Sequence, residues 1–293
     1  MSTNSKIAQS PTNSLSAVSR WPKQPTLPFA LMRSLILNKY LILQMTKREI
    51  ASRYRGSLLG FTWSFINPLA LLVVYTFVFS QIFHSRWTGV DNTDPFQSGL
   101  IFFVGLIIQN FFAEVLNRSP TLIISNNNYV KRVVFPLEIL PVITLCTALF
   151  NAAVSILVLL VSFLLLTGHI HLTLFFLPII LFPLCLFTAG LAWIFSALGV
   201  FLRDIGQFIN LLTIMLVFLS PVFYPITAVP EKYRPIILAN PLTFIIEQMR
   251  DIILWGNLPN WKGLSFYMLV ACIFAWLGYS LFQKTRKGFA DVI

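Results

Sequence analysis

Six apolar stretches, each long enough to cross a lipid bilayer, constrain the fold of this chain more than any other feature. A helix needs about 20 apolar residues to span roughly 30 Å of hydrocarbon. Of the 293 residues, 57% are hydrophobic and 11% are charged, whereas a soluble domain has about 25% charged residues. Because the runs are long and lack strand-like alternation, we predict an all-α membrane protein with six transmembrane helices. The predicted spans are approximately 61–83, 99–116, 137–167, 172–202, 205–223 and 264–282.

The distribution of positive charge predicts the orientation of these spans. The formal net charge is +11, with 21 Lys and Arg residues. Positive residues are retained on the cytoplasmic side of a membrane, and 16 of the 21 lie in the two terminal segments and in the second and fourth connections between spans. Both termini are therefore expected in the cytoplasm, residues 1–28 as a flexible segment and residues 284–293 as a basic tail. The excess charge is interpreted as a topology signal, and no nucleic acid is expected as a partner.

Residues 235–255 are apolar enough to suggest a seventh span, but the charge distribution argues against one. If this stretch crossed the membrane, the basic tail would lie outside. It also contains Glu247, Arg250 and Asp251, which are costly when they face lipid. We predict a pair of short helices that enter the outer leaflet and return, within a region that covers residues 225–258.

Residues 29–58 are predicted to form an amphipathic helix at the membrane interface. Such a helix lies in the headgroup layer with its cations near anionic lipid. The alternative is a basic flank that only sets the orientation. Three cations, Arg48, Arg53 and Arg55, lie off the apolar stripe. That stripe consists of Ile36, Tyr40, Leu43, Ile50 and Tyr54, spaced by three, four or seven residues.

The connection over residues 117–136 is too long for a minimal turn and too polar for lipid. Pro120 is placed to begin a short helix over residues 121–125, and the asparagines at 126–128 are predicted to end it. A short cytoplasmic helix between two spans is well placed to contact a partner protein and to transmit its movement to the spans. The alternative is a solvated loop.

The sequence lacks the motifs of self-sufficient chemistry. It contains no phosphate loop, no Gly-rich dinucleotide turn and no metalloprotease or nucleophile-elbow motif. His84, His169 and His171 fall in predicted extracytoplasmic turns, and no carboxylate or Cys lies at metal-ligand spacing from them. We therefore expect no catalytic residue, no metal site and no cofactor on this chain. Energy for uphill transport would come from a partner.

Four segments of the sequence form a recognisable set. Residues 45–69 read MTKREIASRYRGSLLGFTWSFINPL, at the start of the first span. The second half contains FLRDIGQFIN at 201–210, LSPVFYP at 219–225 and NPLT at 240–243. Together they resemble the ABC-2 family of transporter permeases, and within it the bacterial exporters of O-antigen and related cell-surface polysaccharides. The resemblance covers nearly all of the chain after residue 30, and it is much less specific for the substrate than for the family.

The resemblance implies a homodimer in the bacterial inner membrane, paired with two copies of a cytoplasmic ABC ATPase that holds ATP and Mg. Such permeases export glycan linked to undecaprenyl diphosphate through a channel between the two copies. Teichoic acid, capsule, or a drug or small lipid are alternative substrates. An alternative of another class is a membrane-embedded glycan-lipid transferase or flippase. It would need an acidic catalytic pair or a basic site in a large soluble loop, and neither is found in the sequence.

The resemblance also implies roles for particular residues on the cytoplasmic side. The connection over 117–136 would be the coupling segment that docks into the ATPase. Its candidate residues are Ser119, Thr121, Ile124, Tyr129 and Arg132. Cations at the cytoplasmic entrance would receive the lipid diphosphate, with attraction to anionic lipid as the alternative. The candidates are Arg48, Arg53 and Arg55.

Within the membrane, a sliding glycan needs aromatic faces and modest polar groups, and polar side chains in a span face the bundle interior. The alternative role for each aromatic is packing against lipid or another helix. The candidate channel residues are Trp63, Asn67, Tyr75, Phe79, Gln109, Asn110 and Phe112. The short helices between spans five and six would form the periplasmic gate, with Tyr224, Pro241, Glu247 and Arg250 as candidates.

Overall fold

The computed structural model describes residues 28–79, 95–130 and 135–292, and these residues contain helices and turns but no β-strand. The all-α prediction is therefore confirmed. In chain order the α-helices are α1 (Pro28–Leu37), α2 (Lys39–Tyr54), α3 (Trp63–Phe77), α4 (Pro95–Arg118), α5 (Leu122–Ser125), α6 (Asn127–Val130), α7 (Ile139–Thr167), α8 (Leu177–Phe201), α9 (Ile205–Leu219), α10 (Arg234–Ala239), α11 (Pro241–Arg250), α12 (Trp261–Thr285) and α13 (Phe289–Val292).

Five helical segments of the described residues are long and apolar enough to cross a membrane, one fewer than predicted. The predicted fifth span, 205–223, contains the 15-residue helix α9, which is roughly 22 Å long. The backbone leaves the helix at Ser220, which is extended, because the residue before a proline disfavours helical geometry. Residues 80–83 of the predicted first span lie outside the described residues. The five segments are Gly60–Phe77, Gln97–Ser125, Ile139–Thr167, Leu172–Phe201 and Trp261–Gly288.

Helix α4 forms the centre of the bundle and is the most buried of the long helices. It packs against α3, α7, α8, α9 and α11. Gly99 allows α3 to approach, since a Cβ at this position would lie 2.7 Å from Cβ of Thr76. Within the apolar core, Gln109 donates a hydrogen bond to the Thr213 carbonyl of α9 at 3.0 Å. Helix α4 is therefore the element against which the other helices are positioned.

Helices α8 and α12 pack closely through two glycines. A Cβ on Gly190 would lie 2.6 Å from the carbonyl carbon of Phe274, and one on Gly278 would lie 2.9 Å from the carbonyl carbon of Gly190. Small residues let helix backbones approach within membranes, where dispersion contacts stabilise the pair. These two helices therefore form a tight pair along the length of the bundle.

Two regions that are distant in sequence meet at one end of the bundle, which we call the Pro120 end. Pro120, in the connection between α4 and α7, contacts Gly199 near the end of α8. Glu138, just before α7, forms an ion pair with Arg286, just after α12. The ends of α4, α8 and α12 and the start of α7 thus lie together.

At the opposite end, which we call the Trp261 end, the connection between α7 and α8 meets the segment between α9 and α12. Thr173, in the turn between α7 and α8, donates to the Ile252 carbonyl at 2.7 Å. The rings of Phe176 and Trp261 lie 5.3 Å apart, edge to face. The segment that contains α10 and α11 therefore packs beside the turn from α7 to α8 and the start of α12.

The predicted single helix over residues 29–58 is two helices, which corrects the sequence interpretation. A turn at Asn38 separates α1 from α2, and α2 ends at Tyr54. The Asn38 side chain donates to the Ser34 carbonyl at 2.8 Å, and the Asn38 backbone N–H donates to the same oxygen at 3.0 Å. Beyond Tyr54 the chain turns through Gly56, whose φ is +82°. Of the predicted apolar stripe, Ile36, Tyr40 and Leu43 are exposed on the protein.

Candidate functional site

In its described part, residues 119–130 and 135–138, the connection between α4 and α7 contains two short α-helices, where the sequence predicted one. A 3-10 turn at Ser119–Thr121 leads into α5, and α6 follows after Asn126. The helix predicted over residues 121–125 is present, but Asn127 and Asn128 begin α6 and do not end the helical region. The Ser119 hydroxyl donates to the Val115 carbonyl at 2.7 Å, and the Asn126 amide donates to the Leu122 carbonyl at 2.9 Å.

Pro120 packs directly on Gly199 of α8, where any side chain would block the contact. We call this place the Gly199 notch. A Cβ on Gly199 would lie 2.6 Å from both Cα and the carbonyl carbon of Pro120. By contrast, a Cβ on Gly206 of α9 would lie 3.9 Å from Pro120 Cβ, an ordinary contact. Ser119 and Ile123 beside it are completely buried. Backbone contact therefore sets the position of this connection.

The predicted coupling residues have different surroundings. Thr121 and Ile124 are both exposed, and Ile124 retains 41% of its accessible surface. Spaced by three residues, they share one face. Tyr129 is half-buried and stacks on Phe135 with ring centroids 4.4 Å apart. Ser119 is buried, and Arg132 lies outside the described residues.

Charged residues tie α2 to the end of α4. Arg118 pairs with Glu49, and Arg53 pairs with Glu114. Arg118 Nη1 also lies 3.7 Å from a Glu114 oxygen. The Asn151 amide of α7 donates to both oxygens of Glu114, at 2.9 and 3.2 Å. All four charged side chains are partly buried, so their attraction is less screened than in exposed ion pairs.

A cavity of about 380 Å³ opens between α2, the α5–α6 connection and α7. Its apolar lining includes Met45, Leu140 and Ile143, and its charged lining consists of Arg48, Arg118 and Glu49, which pairs with Arg118. The cavity therefore has both apolar and charged walls, close to the exposed faces of α5 and α6.

The three arginines predicted to receive a diphosphate differ in their partners. Arg48 is exposed and lines the cavity. Arg53 is engaged by Glu114, and Arg55 is exposed in the turn after α2. The structure thus brings Arg48 together with the coupling connection, whereas a carboxylate already compensates the charge of Arg53.

A buried carboxylate follows the α5–α6 connection, and sequence reasoning did not select it as a site. Glu138 is 0% exposed. Its two carboxylate oxygens accept hydrogen bonds from the Ser34 hydroxyl and from Arg286 Nη1, both at 2.9 Å. Its carbonyl accepts from Trp193 Nε1 at 3.0 Å. An acidic residue at the edge of an apolar run needs such a partner, which is the signal that the sequence offered.

At the Trp261 end, the LSPVFYP and NPLT sequences meet in one hydrogen-bonded joint. The Asn240 amide donates to the Ser220 hydroxyl at 2.8 Å and to the Leu219 carbonyl at 3.2 Å. Its oxygen accepts from the Leu242 backbone at 3.0 Å and caps α11. Pro241 occupies the first turn of α11, where its missing N–H costs nothing.

Arg250 connects α11 to α4 and to the turn after α9. Its guanidinium donates to the Ile101 carbonyl at 3.2 Å and the Val222 carbonyl at 3.1 Å, and pairs with Glu247 at 2.8 Å. Burial lowers the pKa of Arg250 to about 10, so the side chain stays protonated at neutral pH. Burial also raises the pKa of Glu247, which Arg250 partly offsets. Gly105 leaves room, since a Cβ there would lie 3.3 Å from Arg250 Nη2.

The last predicted gate residue, Tyr224, is half-buried after α9. Its hydroxyl donates to the Phe218 carbonyl at 2.9 Å, and burial raises its pKa. Helix α11 continues into a π-helical turn at Asp251–Trp255. Gln248 then links α11 to the start of α12, since its oxygen accepts from the Asn260 backbone at 2.6 Å. All four predicted gate residues lie in this segment.

Three of the seven predicted channel residues lie on the surface of the protomer. Trp63, Asn67 and Asn110 are exposed. Tyr75 and Phe79 are half-buried instead. They pack on Phe223, with centroid distances of 6.2 and 5.2 Å.

The other two predicted channel residues are inside the protomer. Gln109 and Phe112 are each 1% exposed. Gln109 bonds to α9 through the Thr213 carbonyl, and Phe112 stacks on Phe187 of α8 at 6.3 Å. Both side chains serve helix packing in this structure.

The fold and these two regions define the class: a multi-pass helical membrane protein with short exposed helices at one end and a buried polar joint at the other. The chain belongs to the ABC-2 type transporter family, whose model matches residues 40–254. The family predicted from the motifs at 45–69, 201–210, 219–225 and 240–243 is thereby confirmed.

Several characterised relatives match nearly the whole chain. The O-antigen export system permease protein RfbA of Myxococcus xanthus is 29% identical over 269 residues, 90% of this chain and 99% of the relative. The protein of the same name from Klebsiella pneumoniae is 29% identical over 255 residues, 86% of this chain and 95% of the relative. The polysialic acid transport protein KpsM of Escherichia coli is 26% identical over 247 residues, covering 82% and 92%.

Proposed function

We propose that this chain is the permease subunit of an ATP-driven ABC transporter that exports a lipid-linked, O-antigen-like polysaccharide across the bacterial inner membrane. One observation carries the proposal: the ABC-2 match over 40–254 extends into near full-length similarity to permeases named for O-antigen export. The lipid carrier is undecaprenyl diphosphate. The chain itself performs no catalysis, and ATP and Mg are bound by a separate ATPase subunit.

The proposed topology has six crossings, with α9 as the short fifth one and both termini in the cytoplasm. The Pro120 end is then cytoplasmic and the Trp261 end periplasmic, in agreement with the excess of Lys and Arg. Helices α10 and α11 enter the periplasmic leaflet and return. The hydrogen-bonded joint at Asn240 and the buried Arg250 support this arrangement, because they satisfy polar groups that lipid would not. The exposed residues Ile36, Tyr40 and Leu43 then face lipid headgroups and acyl chains.

Two copies of the chain and two copies of the ATPase make up the proposed transporter. Helices α5 and α6 form the docking surface for the ATPase, with Thr121 and Ile124 on its outer face. The channel lies between the two permeases, where Trp63, Asn67 and Asn110 are available to line it. Arg48 and Arg55 then receive the diphosphate at the cytoplasmic mouth.

Deletion of this permease tests the proposal directly. Glycan linked to undecaprenyl diphosphate should accumulate inside the cell while the corresponding surface polysaccharide disappears, and a plasmid copy of the wild-type chain should restore export. Cells with a hydrolysis-deficient ATPase subunit are the matched control and should show the same accumulation. Unchanged surface glycan would refute the proposal, and altered sensitivity to small toxic compounds alone would support a drug substrate.

A capsular polysaccharide is a second candidate cargo. The relatives include KpsM of Escherichia coli and the capsule polysaccharide export inner-membrane protein CtrC of Neisseria meningitidis, which is 20% identical over 264 residues. The same deletion strain separates the two cargoes. Loss of capsule with intact lipopolysaccharide would assign the second one.

A further inference from the structure

The segment after α12 is anchored to the bundle by one apolar side chain. Phe289 of α13 is 0% exposed. Its ring lies 6.0 Å from that of Phe201 at the end of α8 and 5.4 Å from that of Phe282 in α12. The neighbouring cations Lys284 and Lys287, by contrast, are exposed. A basic segment that only set orientation would not need this apolar anchor.

Between these two lysines, Arg286 turns inward and reaches the chain just after α6. Its Nη1 donates to Glu138 and its Nη2 donates to the Phe135 carbonyl, both at 2.9 Å. The side chains of Arg286 and Glu138 are 11% and 1% exposed. Removing one partner of such a pair is costly, because the other is left as an uncompensated buried charge.

The arginine acts on the α5–α6 connection through Phe135. The Phe135 ring stacks on Tyr129 of α6 with an interplanar angle of 17°. Arg286 thus fixes the backbone of the residue whose side chain supports α6. At the other end of the same connection, Pro120 is held by the Gly199 notch. The connection is therefore fixed at its beginning by α8 and at its end by the C-terminal segment.

We propose that Arg286 is a positioning residue for coupling: with Glu138 it holds α5 and α6 in the one geometry that the ATPase engages. The C-terminal segment then belongs to the coupling machinery. This inference rests on the proposed function, because it takes the ATPase to dock on α5 and α6. Arg286 acts through Phe135 and Glu138 and touches neither substrate nor nucleotide.

The first test measures docking without any substrate. The substitution Asn127→Cys places a reporter thiol on the exposed face of α6, in a background where Cys146, Cys185 and Cys272 are replaced by Ala. The maleimide labelling rate of this reporter thiol in membranes is compared with and without the ATPase subunit. The ATPase should protect the reporter thiol both in the Asn127→Cys background alone and in the same background with Lys287→Ala. With Arg286→Ala added, the protection factor should fall by roughly tenfold, a typical size for coupling between sites.

Arg286→Lys is the conservative variant. A lysine keeps the charge for Glu138 but lacks the planar fork that also reaches the Phe135 carbonyl. It should therefore keep the ion pair and the protein yield but recover only part of the protection that Arg286→Ala loses. Lys284→Ala and Lys287→Ala remove equal charge from the same segment without touching Glu138, so they control for net charge.

The second test compares basal ATPase activity with activity stimulated by lipid-linked glycan in the purified, reconstituted complex. Arg286→Ala should lower the stimulated kcat and leave the KM for ATP unchanged. The inference would be overturned if Arg286→Ala lowered protein yield, basal rate and stimulated rate equally while the ATPase still protected the reporter thiol normally. That result would show a purely structural role. A reporter thiol that the ATPase fails to protect when Arg286 is intact would overturn it as well. Protection without stimulation by the glycan would instead refute the proposed cargo.

Discussion

The Gly199 notch gives a sharp prediction, because adding one methyl group changes the position of the α5–α6 connection. In Gly199→Ala the new Cβ would overlap the Pro120 carbonyl oxygen and lie 2.6 Å from Cα and the carbonyl carbon of Pro120, so the connection must move by more than the roughly 0.8 Å that separates 2.6 Å from the 3.4 Å of ordinary contact. The atoms it meets belong to backbone on both sides, so no side chain can rotate away. Overpacking of this kind costs about 1–3 kcal/mol, and a displacement near 1 Å can lower a geometry-dependent rate about 100-fold.

Gly206→Ala is the matched control, because its Cβ would face the same proline at 3.9 Å. It should leave Tm and activity unchanged, apart from the small gain that alanine brings to a helix. Gly199→Ala should lower the Tm of the purified permease and should lower export more strongly than the Tm shift alone explains. Thermal unfolding in detergent and export in the deletion strain measure the two effects.

Two outcomes would refute the reasoning. If Gly199→Ala matches the wild-type chain in Tm and export, the notch does not position the connection. If Gly206→Ala causes the same loss, the effect comes from helix composition and not from the contact with Pro120.

Three further predictions concern the Trp261 end. Asn240→Ala removes the cap of α11 and the hydrogen bond to Ser220. The free energy of unfolding, measured by denaturation in detergent, should fall by about 1–2 kcal/mol. An unchanged denaturation midpoint would show that the joint is dispensable. Arg250→Met leaves two carbonyls and Glu247 without their buried donor, so the free energy of unfolding in the same assay should fall by about 1.5–3 kcal/mol. A variant more stable than the wild-type chain would contradict this. Cysteines introduced in place of Lys232 and Asn257 should both react with an impermeant reagent added from the periplasm, whereas labelling from opposite faces would establish a seventh crossing.

The long helices could be predicted from the sequence because apolar length is a one-dimensional property. The end of α9 could also have been predicted from the sequence, because Pro221 disfavours a helical conformation at Ser220. The break at Asn38 was harder to predict, because an asparagine within a helical pattern bonds locally or points outward with similar ease. Propensity alone does not decide between these two conformations.

The charged clusters could not be predicted, because their partners are far apart in sequence. Arg53 was expected to meet a phosphate, but Glu114, 61 residues away, already holds it. Arg286 was counted as part of a topogenic tail, whereas its partner Glu138 lies 148 residues away. The sequence also does not distinguish surface from core among the candidate channel residues: Gln109 has the same polarity as Asn110, but the helix packing turns Gln109 inward.

The dependence of the α5–α6 connection on Gly199 and Arg286 also sets an order of events during synthesis. The connection leaves the ribosome early, whereas Gly199 and then Arg286 are made later. A chain that stops before Arg286 contains α5 and α6 without the contact that fixes their end. Under the proposed function such a chain would bind the ATPase more weakly than one that reaches Arg286, so that assembly of the transporter would itself disfavour truncated copies.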